Sequence, residues 1–391
     1  NNGRAIIKHR TDSSYDGAKL GGLSLRDLVL GVDRQSKRVE AGIRLRDYSD
    51  DHESVAVDVS DVDLSGARAG IELFDVGVVT VEDSVIASRG RAVDLYDSGR
   101  LVATGNDLGV SNASCIHLDQ TLVADGETFI GDNDCTTEGN NRTLVVSRND
   151  TPAQSARSIV IRDNTISRTT SGNVEGIAVN LYDQASDLLV SGNSIEGPSY
   201  KGITITSSPY AGPNRTADIT VENNVIGGSD ADEAAITLRG AETMANTVVR
   251  NNSVTVNPEF GIGNYGGELM HVEVDHSHAG PIDVTCTNNL AATNNTSIGI
   301  PAAMTATGPV EIDAHSNFYH GFDTIYGPDV TSTGSGTVTG MAPQFSDPVT
   351  LELQATSPAV DAGDCSTAAG EDIDGTARPQ GGGCDIGAYE Q

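Results

Sequence analysis

The sequence predicts an all-β fold, a single-stranded right-handed parallel β-helix. Short apolar segments with alternating polarity recur once every 22 to 31 residues along much of the chain. An asparagine recurs at the same place in the polar turn of several of these repeats. Aromatic residues make up only 4% of the chain, which suits a narrow lumen lined by Ile, Val and Leu. A fixed period of this size is typical of solenoids, in which each repeat buries its apolar side against its neighbours.

The first class of segment has a small residue followed by an apolar, a variable and a second apolar residue. Ile71, Val93 and Ile116 hold the first apolar position in successive repeats, 22 and 23 residues apart. Period-2 alternation in runs of three to five residues predicts strands and not helices. The segments of this class are 42–45, 70–73, 92–95, 115–118, 176–179, 202–205 and 235–238.

The second class of segment has a short alternating run, a polar turn and a further aliphatic residue. Asn164, Asn193, Asn224 and Asn252 occupy the turn, at intervals of 29, 31 and 28 residues. Because like segments recur once per repeat, each is predicted to pair in parallel with its counterpart in the next coil, about 4.8 Å away. Asparagine tolerates positive φ, and stacked amides can bond one another. We therefore interpret the four asparagines as a structural ladder.

The repeats divide the chain into two parts. Residues 1–340 are predicted to form the β-helix, and residues 341–391 a loop-rich cap packed on the last coils. Residues 110–157 depart from the period and contain clusters of Gly, Asp and Asn, which indicates a loop excursion. No amphipathic helix precedes the first strands, and an open coil exposes unpaired backbone groups. We expect a removed N-terminal segment or a second subunit, stacked end to end as a homo-oligomer, to cover that end.

The chain is strongly acidic. It carries 24 Lys and Arg against 55 Asp and Glu, a formal net charge of −31. Such a field repels nucleic acid and anionic membranes, so neither is an expected partner. No apolar run approaches the length of a membrane-spanning helix. Only four of the basic residues are lysines, which is typical of a halophilic protein or of a GC-rich genome.

The five cysteines lack CxxC spacing, so a zinc or redox site is not predicted. Cys365 and Cys384 bracket one polar loop and are predicted to form a disulfide. Cys115 and Cys135 are a second candidate pair, which leaves Cys286 unpaired. Disulfides indicate an oxidising location, extracellular or on the cell surface. Seven Asn-x-Ser/Thr sites are compatible with a glycoprotein. They are Asn112, Asn141, Asn149, Asn214, Asn251, Asn294 and Asn295.

Alignment of the first class of segment places acidic side chains in columns on the outer face of the helix. Arg44, Glu72, Asp94 and His117 share one column, and we predict that Glu72, Asp94 and His117 bind substrate. Asp75 and Asp97 share another, which we predict to hold a metal ion. Three interpretations stay open: acid–base catalysis at a glycosidic bond, a Ca²⁺ site, and a solvated acidic face. No organic cofactor is predicted.

A second cluster lies near residue 270, where three of the eight histidines fall within eight residues. His271 and His276 are its candidate catalytic members, with Tyr265 one short loop earlier. A His and Tyr pair beside an arginine suits the proton transfers of a lyase-type elimination next to a uronate carboxyl group. The same residues also suit a transition-metal site or a structural cap at a strand end.

Tyr319 and His320 form a third, smaller group. Exposed aromatic residues on an aromatic-poor surface suit stacking on sugar rings, so we predict that both contact substrate. Packing against the C-terminal loops is the alternative interpretation.

The C-terminal residues carry a family resemblance. They read APQF at 342–345, SPAVDAG at 357–363, DIDGTARP at 372–379 and DIGAYE at 385–390. This end resembles the terminal module of the choice-of-anchor Q family of bacterial and archaeal surface proteins. The resemblance implies an exported β-helix, often followed by an anchoring tail, in a family that includes proteins similar to polysaccharide lyases. Within the motif, Arg378 is predicted to pair with a nearby Asp (372, 374 or 385) and pin the cap.

Two functions follow from these patterns. The first is an exported β-helix protein that binds or processes extracellular polysaccharide, lyase-like if it is catalytic. The second is a non-catalytic structural or adhesive surface protein that assembles end to end. The His and Tyr cluster favours the first, and the uncovered N-terminal coil favours the second.

Overall fold

The structure is a computed structural model that describes residues 4–10, 23–31, 39–46, 56–120, 126–139, 141–148, 158–169, 175–181, 187–197, 201–207, 218–229, 234–240, 244–256, 267–274, 284–293 and 300–391. These residues form a right-handed parallel β-helix, which confirms the predicted fold class. No helix in these ranges is long and apolar enough to cross a membrane.

Sheet A contains one strand from each coil, and all of its pairings are parallel. Strands are numbered in chain order. Sheet A consists of β1 (Arg4–Arg10), β3 (Val39–Arg46), β5 (Ala69–Phe74), β8 (Val93–Ser98), β11 (Ile116–Gln120), β14 (Leu144–Arg148), β17 (Glu175–Leu181), β20 (Lys201–Ser207), β23 (Ile236–Arg239), β26 (Met270–Glu273), β29 (Ile300–Ala306) and β32 (Phe322–Tyr326).

Sheet B contains two lines of strands that meet at a bend. Two long strands, β2 (Leu23–Gly31) and β4 (Ala56–Ser65), belong to both lines, because β4 pairs with β6 before the bend and with β7 after it. The first line is β6 (Val78–Glu82), β9 (Arg100–Thr104), β12 (Thr128–Gly131), β15 (Ser158–Arg162), β18 (Asp187–Ser191), β21 (Asp218–Glu222), β24 (Ala245–Arg250), β27 (Val284–Thr287), β30 (Val310–His315) and β33 (Val330–Ser332). The second line is β7 (Val85–Ser88), β10 (Asp107–Val110), β13 (Asp134–Thr137), β16 (Thr165–Arg168), β19 (Ser194–Glu196), β22 (Val225–Ser229), β25 (Ser253–Val256), β28 (Leu290–Thr293), β31 (Phe318–His320) and β34 (Val338–Thr339).

Aliphatic side chains fill the lumen in single files. Ile177, Ile203 and Ile236 are partners in adjacent strands of sheet A, and each is fully buried. Burying an aliphatic side chain of this size contributes about 1.5–3 kcal/mol. Each coil buries only a few such side chains, so the fold depends on repetition along the axis.

The bend in sheet B contains the asparagine ladder, which is twice as long as the four predicted residues. The Nδ2 atom of each asparagine donates to the Oδ1 atom of the next at 2.8 to 3.1 Å. All eight side chains are buried. They are Asn106, Asn133, Asn164, Asn193, Asn224, Asn252, Asn289 and Asn317.

The positive φ at this bend belongs to the residue before each ladder position and not to the ladder asparagine, so that part of the prediction is wrong. In three successive coils these residues are Asp163, Gly192 and Asn223, with φ of 56°, 66° and 53°. Gly, Asp and Asn are the residues that adopt this conformation most readily. The ladder residue itself is selected for the hydrogen bonds of its amide.

The predicted loop excursion at 110–157 is also wrong for the residues described. Strands β12 and β13 pair with the strands before and after them, and β11 pairs with β14, all in parallel. The ladder spacing lengthens here, since Asn106, Asn133 and Asn164 are 27 and 31 residues apart. Longer connections between regular strands disturbed the sequence period while the coils stayed in register.

Both predicted disulfides are present. Cys115–Cys135 joins two adjacent coils inside the helix, and Cys365–Cys384 closes a loop in the C-terminal segment. Cys286 is free and buried, and this burial raises the pKa of its thiol to about 12.

Residues 341–391 pack against the side of the last coils. Leu353, Ile386 and Leu351 cover the outer face of the second line of sheet B, where Leu290 and Phe318 are fully buried. Backbone and amide bonds fix the contact, among them Gly387 N to Asn288 O at 2.8 Å. The predicted cap is therefore a lateral strap.

Arg378 does not form the predicted ion pair with Asp372, Asp374 or Asp385. Its guanidinium instead donates to Glu390 at 2.9 Å and to the Gly387 carbonyl at 2.9 Å. Both side chains of the pair are fully buried, with exposures of 1% and 0%. Burial lowers the pKa of Arg378, while Glu390 opposes that shift. Asp372 instead bonds the backbone of its own turn at Thr376.

Candidate functional site

Four outward side chains of sheet A form one file across the first coils. The strand register places Arg44 beside Glu72, Glu72 beside Asp94, and Asp94 beside His117. Their strand neighbours, such as Leu73 and Leu95, point into the lumen and are fully buried. Period-2 alternation thus leaves the polar members on the outer face.

Each carboxylate in this file is bound by a cation of the protein. Glu72 accepts from the Arg44 guanidinium. Asp94 Oδ1 accepts from Arg91 Nη1 at 2.8 Å and lies 3.0 Å from His117 Nδ1. Only 7% of the Asp94 side chain is exposed. Glu72 and Asp94 are therefore neutralised separately and do not form an isolated pair that shares a proton.

Aromatic rings form a second file beside the first. Phe74 and Tyr96 stack with ring centroids 5.0 Å apart and planes 10° apart, and His117 lies 5.6 Å from Tyr96. Arg46 and Arg91 lie over the two ends of this stack. Arg91 Nη1 also donates to the Tyr96 hydroxyl at 2.5 Å. Burial raises the pKa of that hydroxyl, and Asp94 raises it further against the opposing effect of Arg91.

Glu72, Asp94 and Tyr96 line a cleft of about 480 Å³ at the corner where the turns enter sheet A, and His117 lies next to Tyr96 beside this cleft. Four arginines line it: Arg44, Arg68, Arg89 and Arg91. Arg68 and Arg89 are exposed, and within the described ranges neither has a carboxylate at ion-pair distance. With two carboxylates in the lining, the cleft carries an excess of positive charge on a chain of net charge −31.

The predicted metal residues lie at the edge of this region. Asp75 and Asp97 follow the two aromatic residues and have positive φ, 58° and 47°. Asp75 lies 3.6 Å from Arg46 Nε. No group of three or more His, Cys, Asp or Glu residues suited to a metal occurs among the described residues. The Ca²⁺ site stays a prediction from sequence.

The predicted catalytic cluster is only partly described. His271 lies in the same outward file as His117, five strands along sheet A. Its Nδ1 atom lies 2.6 Å from Thr305 Oγ1, and that hydroxyl donates to the buried carboxylate of Glu268. His276 and Tyr265 lie outside the described residues, so this trio stays a prediction from sequence.

Tyr319 does not form part of a sugar-binding surface. It alternates with Phe318, which faces outward under the strap, and so its own ring enters the lumen with 2% exposure. There it meets the edge of Phe322, and burial raises the pKa of its hydroxyl well above the usual range. His320, the next residue, is half-buried.

Sequence reasoning missed Tyr96 and three of the cleft arginines. Tyr96 follows Asp94 by two residues, so the strand period alone places both on one face. Arg68 and Arg89 precede two successive segments of the first class and are 21 residues apart. That interval is one residue short of the 22-residue spacing between Ile71 and Val93 and was the available signal for a basic turn.

Comparison with known proteins supports the architecture. A family model described as a right handed beta helix region matches residues 41–211, which include the candidate cleft. No curated protein matches the chain. The fold and this match together define a right-handed β-helix repeat protein.

Proposed function

We propose that this protein binds an acidic extracellular polysaccharide in the cleft of its first coils. The observation that carries the proposal is the meeting of four arginines in one cleft of a strongly acidic chain. Arg68 and Arg89 hold exposed guanidinium groups that suit carboxylate or sulfate, which arginine binds through paired N–H donors. The acidic remainder of the surface repels a polyanion, which confines its binding to this cleft.

The other groups in the cleft suit a sugar. Asn112, Ser114 and Asn141 offer hydrogen-bonding side chains beside the arginines, and Tyr96 is the aromatic residue of the lining. The cleft follows the coil axis across at least three strands of sheet A, which suits a linear polymer. The two disulfides support an oxidising location, where such polymers occur.

Replacing both Arg68 and Arg89 with alanine is expected to weaken binding of an acidic polysaccharide by about tenfold for each lost arginine. A hydrogen bond to a charged group contributes about 1.5–3 kcal/mol, and about 1.4 kcal/mol corresponds to a tenfold change in Kd. Affinity electrophoresis in gels that contain polymannuronate, polygalacturonate or neutral dextran measures the effect. The acidic polymers should retard the wild-type chain, and dextran should not.

Arg26→Ala is the matched control, because Arg26 is an exposed arginine of β2 that pairs with Asp58 outside the cleft. It should bind as the wild type does. Equal retardation of wild type and the double variant, or retardation by dextran alone, would contradict the proposal. Higher salt should weaken binding, since it screens the exposed charges.

A further inference from the structure

Hydrogen bonding fixes the tautomer of His117. An ionised carboxylate can only accept hydrogen bonds, and the Oδ1 atom of Asp94 lies 3.0 Å from His117 Nδ1. The neutral imidazole therefore carries its proton on Nδ1, which leaves a lone pair on Nε2. Arg91 holds the same carboxylate oxygen, so Asp94 is fixed in this orientation. His117 is thus arranged to accept a proton at Nε2.

Tyr96 is arranged to donate a proton beside it. Arg91 donates to the phenolic oxygen, and the guanidinium would stabilise negative charge that forms there. Its raised pKa keeps the phenol protonated at neutral pH. Tyr96 and His117 project from neighbouring strands on one face of sheet A, with ring centroids 5.6 Å apart.

We infer that the cleft cleaves 4-linked uronate polymers by β-elimination, with His117 as the base and Tyr96 as the acid. This inference rests on the proposed function, which brings the uronate carboxylate to Arg68 and Arg89. His117 Nε2 removes the hydrogen of C5, next to that carboxylate. The C5–H electrons form a C4=C5 double bond, the C4–O bond breaks, and the leaving oxygen takes the Tyr96 proton. Proton transfer back from imidazolium to phenolate restores both groups, so no oxidant or other co-reactant is needed.

The geometry also selects the substrate. Since the base and the acid stand on the same face of the sheet, both reach the sugar ring from one side. The hydrogen on C5 and the oxygen on C4 must then lie on the same face of the ring. Mannuronate and glucuronate polymers meet this condition. Guluronate and galacturonate polymers, in which the two groups lie on opposite faces, do not.

The test is incubation of the protein with polymannuronate, polyglucuronate, polyguluronate and polygalacturonate. Ultraviolet absorbance measures the new double bond, which is conjugated with the carboxylate, and affinity electrophoresis measures binding in parallel. Polymannuronate and polyguluronate are a matched pair, because they differ only in the configuration at C5. We expect cleavage of at least one of the first two polymers and of neither of the last two.

His117→Gln and Tyr96→Phe are each expected to slow cleavage by about 100-fold or more, which is the usual contribution of a general acid or base, while binding persists. His315→Gln, which alters a histidine of β30 far along sheet B, is the control and should cleave as the wild type does. Asp94→Asn tests the positioning residue by nitrogen NMR. The wild-type His117 signal should report a proton on Nδ1, and the variant should show a mixture of tautomers.

The results distinguish failure of the proposed elimination from failure of the proposed binding function. Binding without cleavage of any polymer overturns the elimination and leaves the proposed function standing. Cleavage confined to polyguluronate or polygalacturonate overturns the assignment of both proton-transfer groups to one face. No binding of any of the four polymers overturns both proposals.

Discussion

Replacing Asn193 with alanine is expected to lower the free energy of unfolding by about 4 kcal/mol, because each buried polar group left without a partner costs about 1–3 kcal/mol. The Asn193 amide donates to Asn224, Ile161 and Ser191, and accepts from the backbone and side chain of Asn164. All of these bonds lie at the buried bend of sheet B. Alanine removes them together and interrupts the ladder in the middle of the helix.

Equilibrium chemical denaturation monitored by circular dichroism measures this change. Asn112→Ala is the control, because Asn112 is an exposed asparagine in a turn, and it should change the free energy of unfolding by less than about 0.5 kcal/mol. A loss at Asn193 no larger than that at Asn112 would show that the ladder does not stabilise the coils.

Replacing Arg378 with methionine is expected to destabilise the protein by about 3–5 kcal/mol, the usual effect of leaving a buried charge without its partner. The charge left behind is that of Glu390, which has no solvent exposure. Arg378 also bonds the carbonyls of Asp385 and Gly387, so its loss removes the centre of the strap. Limited proteolysis should then cut residues 341–391 faster than in the wild type.

The double variant Arg378→Met/Glu390→Gln separates charge from packing. With both charges gone, the penalty for an unpaired ion disappears, so we expect the double variant to be more stable than Arg378→Met alone. A double variant that loses the sum of the two single effects would show that the two side chains act independently.

The fold was predictable because its repeat is one-dimensional. A residue such as Ile177 has to lie over Ile203 once both occupy the same place in successive coils. The asparagine ladder was predicted from the same periodicity, but only four of its eight asparagines were identified. Asn106, Asn133 and Asn164 are 27 and 31 residues apart, in a region where longer connections remove any single period.

The position of the strap, residues 341–391, could not be predicted from the repeat. Along the outer face of the second line of sheet B, Asp107 and Asp134 are exposed, whereas Val225 and Leu290 are fully buried. This change from polar to apolar residues marks where the strap covers the helix. This change can be recognised in the sequence only once the strand positions are known. The partner of Arg378 depends on the path of a loop, which local spacing does not determine.

The sequence predicts which residues of the candidate site are neighbours on adjacent strands, but it does not predict which groups pair with their charges. Lateral neighbours such as Asp94 and His117 follow from the alignment of strands. Three of the four cleft arginines, Arg68, Arg89 and Arg91, come from turns, whose side chains have no fixed direction in a repeat pattern. Tyr319 was assigned to the wrong face because β31 is only three residues long, too short for alternation to reveal its inner side.

The most direct test of this account is a crystal structure of the protein soaked with an acidic oligosaccharide such as tetramannuronate. We expect a sugar chain in the first-coil cleft, with a uronate carboxylate within hydrogen-bond distance of Arg68 or Arg89 and a sugar ring beside Tyr96. An oligosaccharide bound on the strap or on sheet B, with these arginines uncontacted, would contradict it.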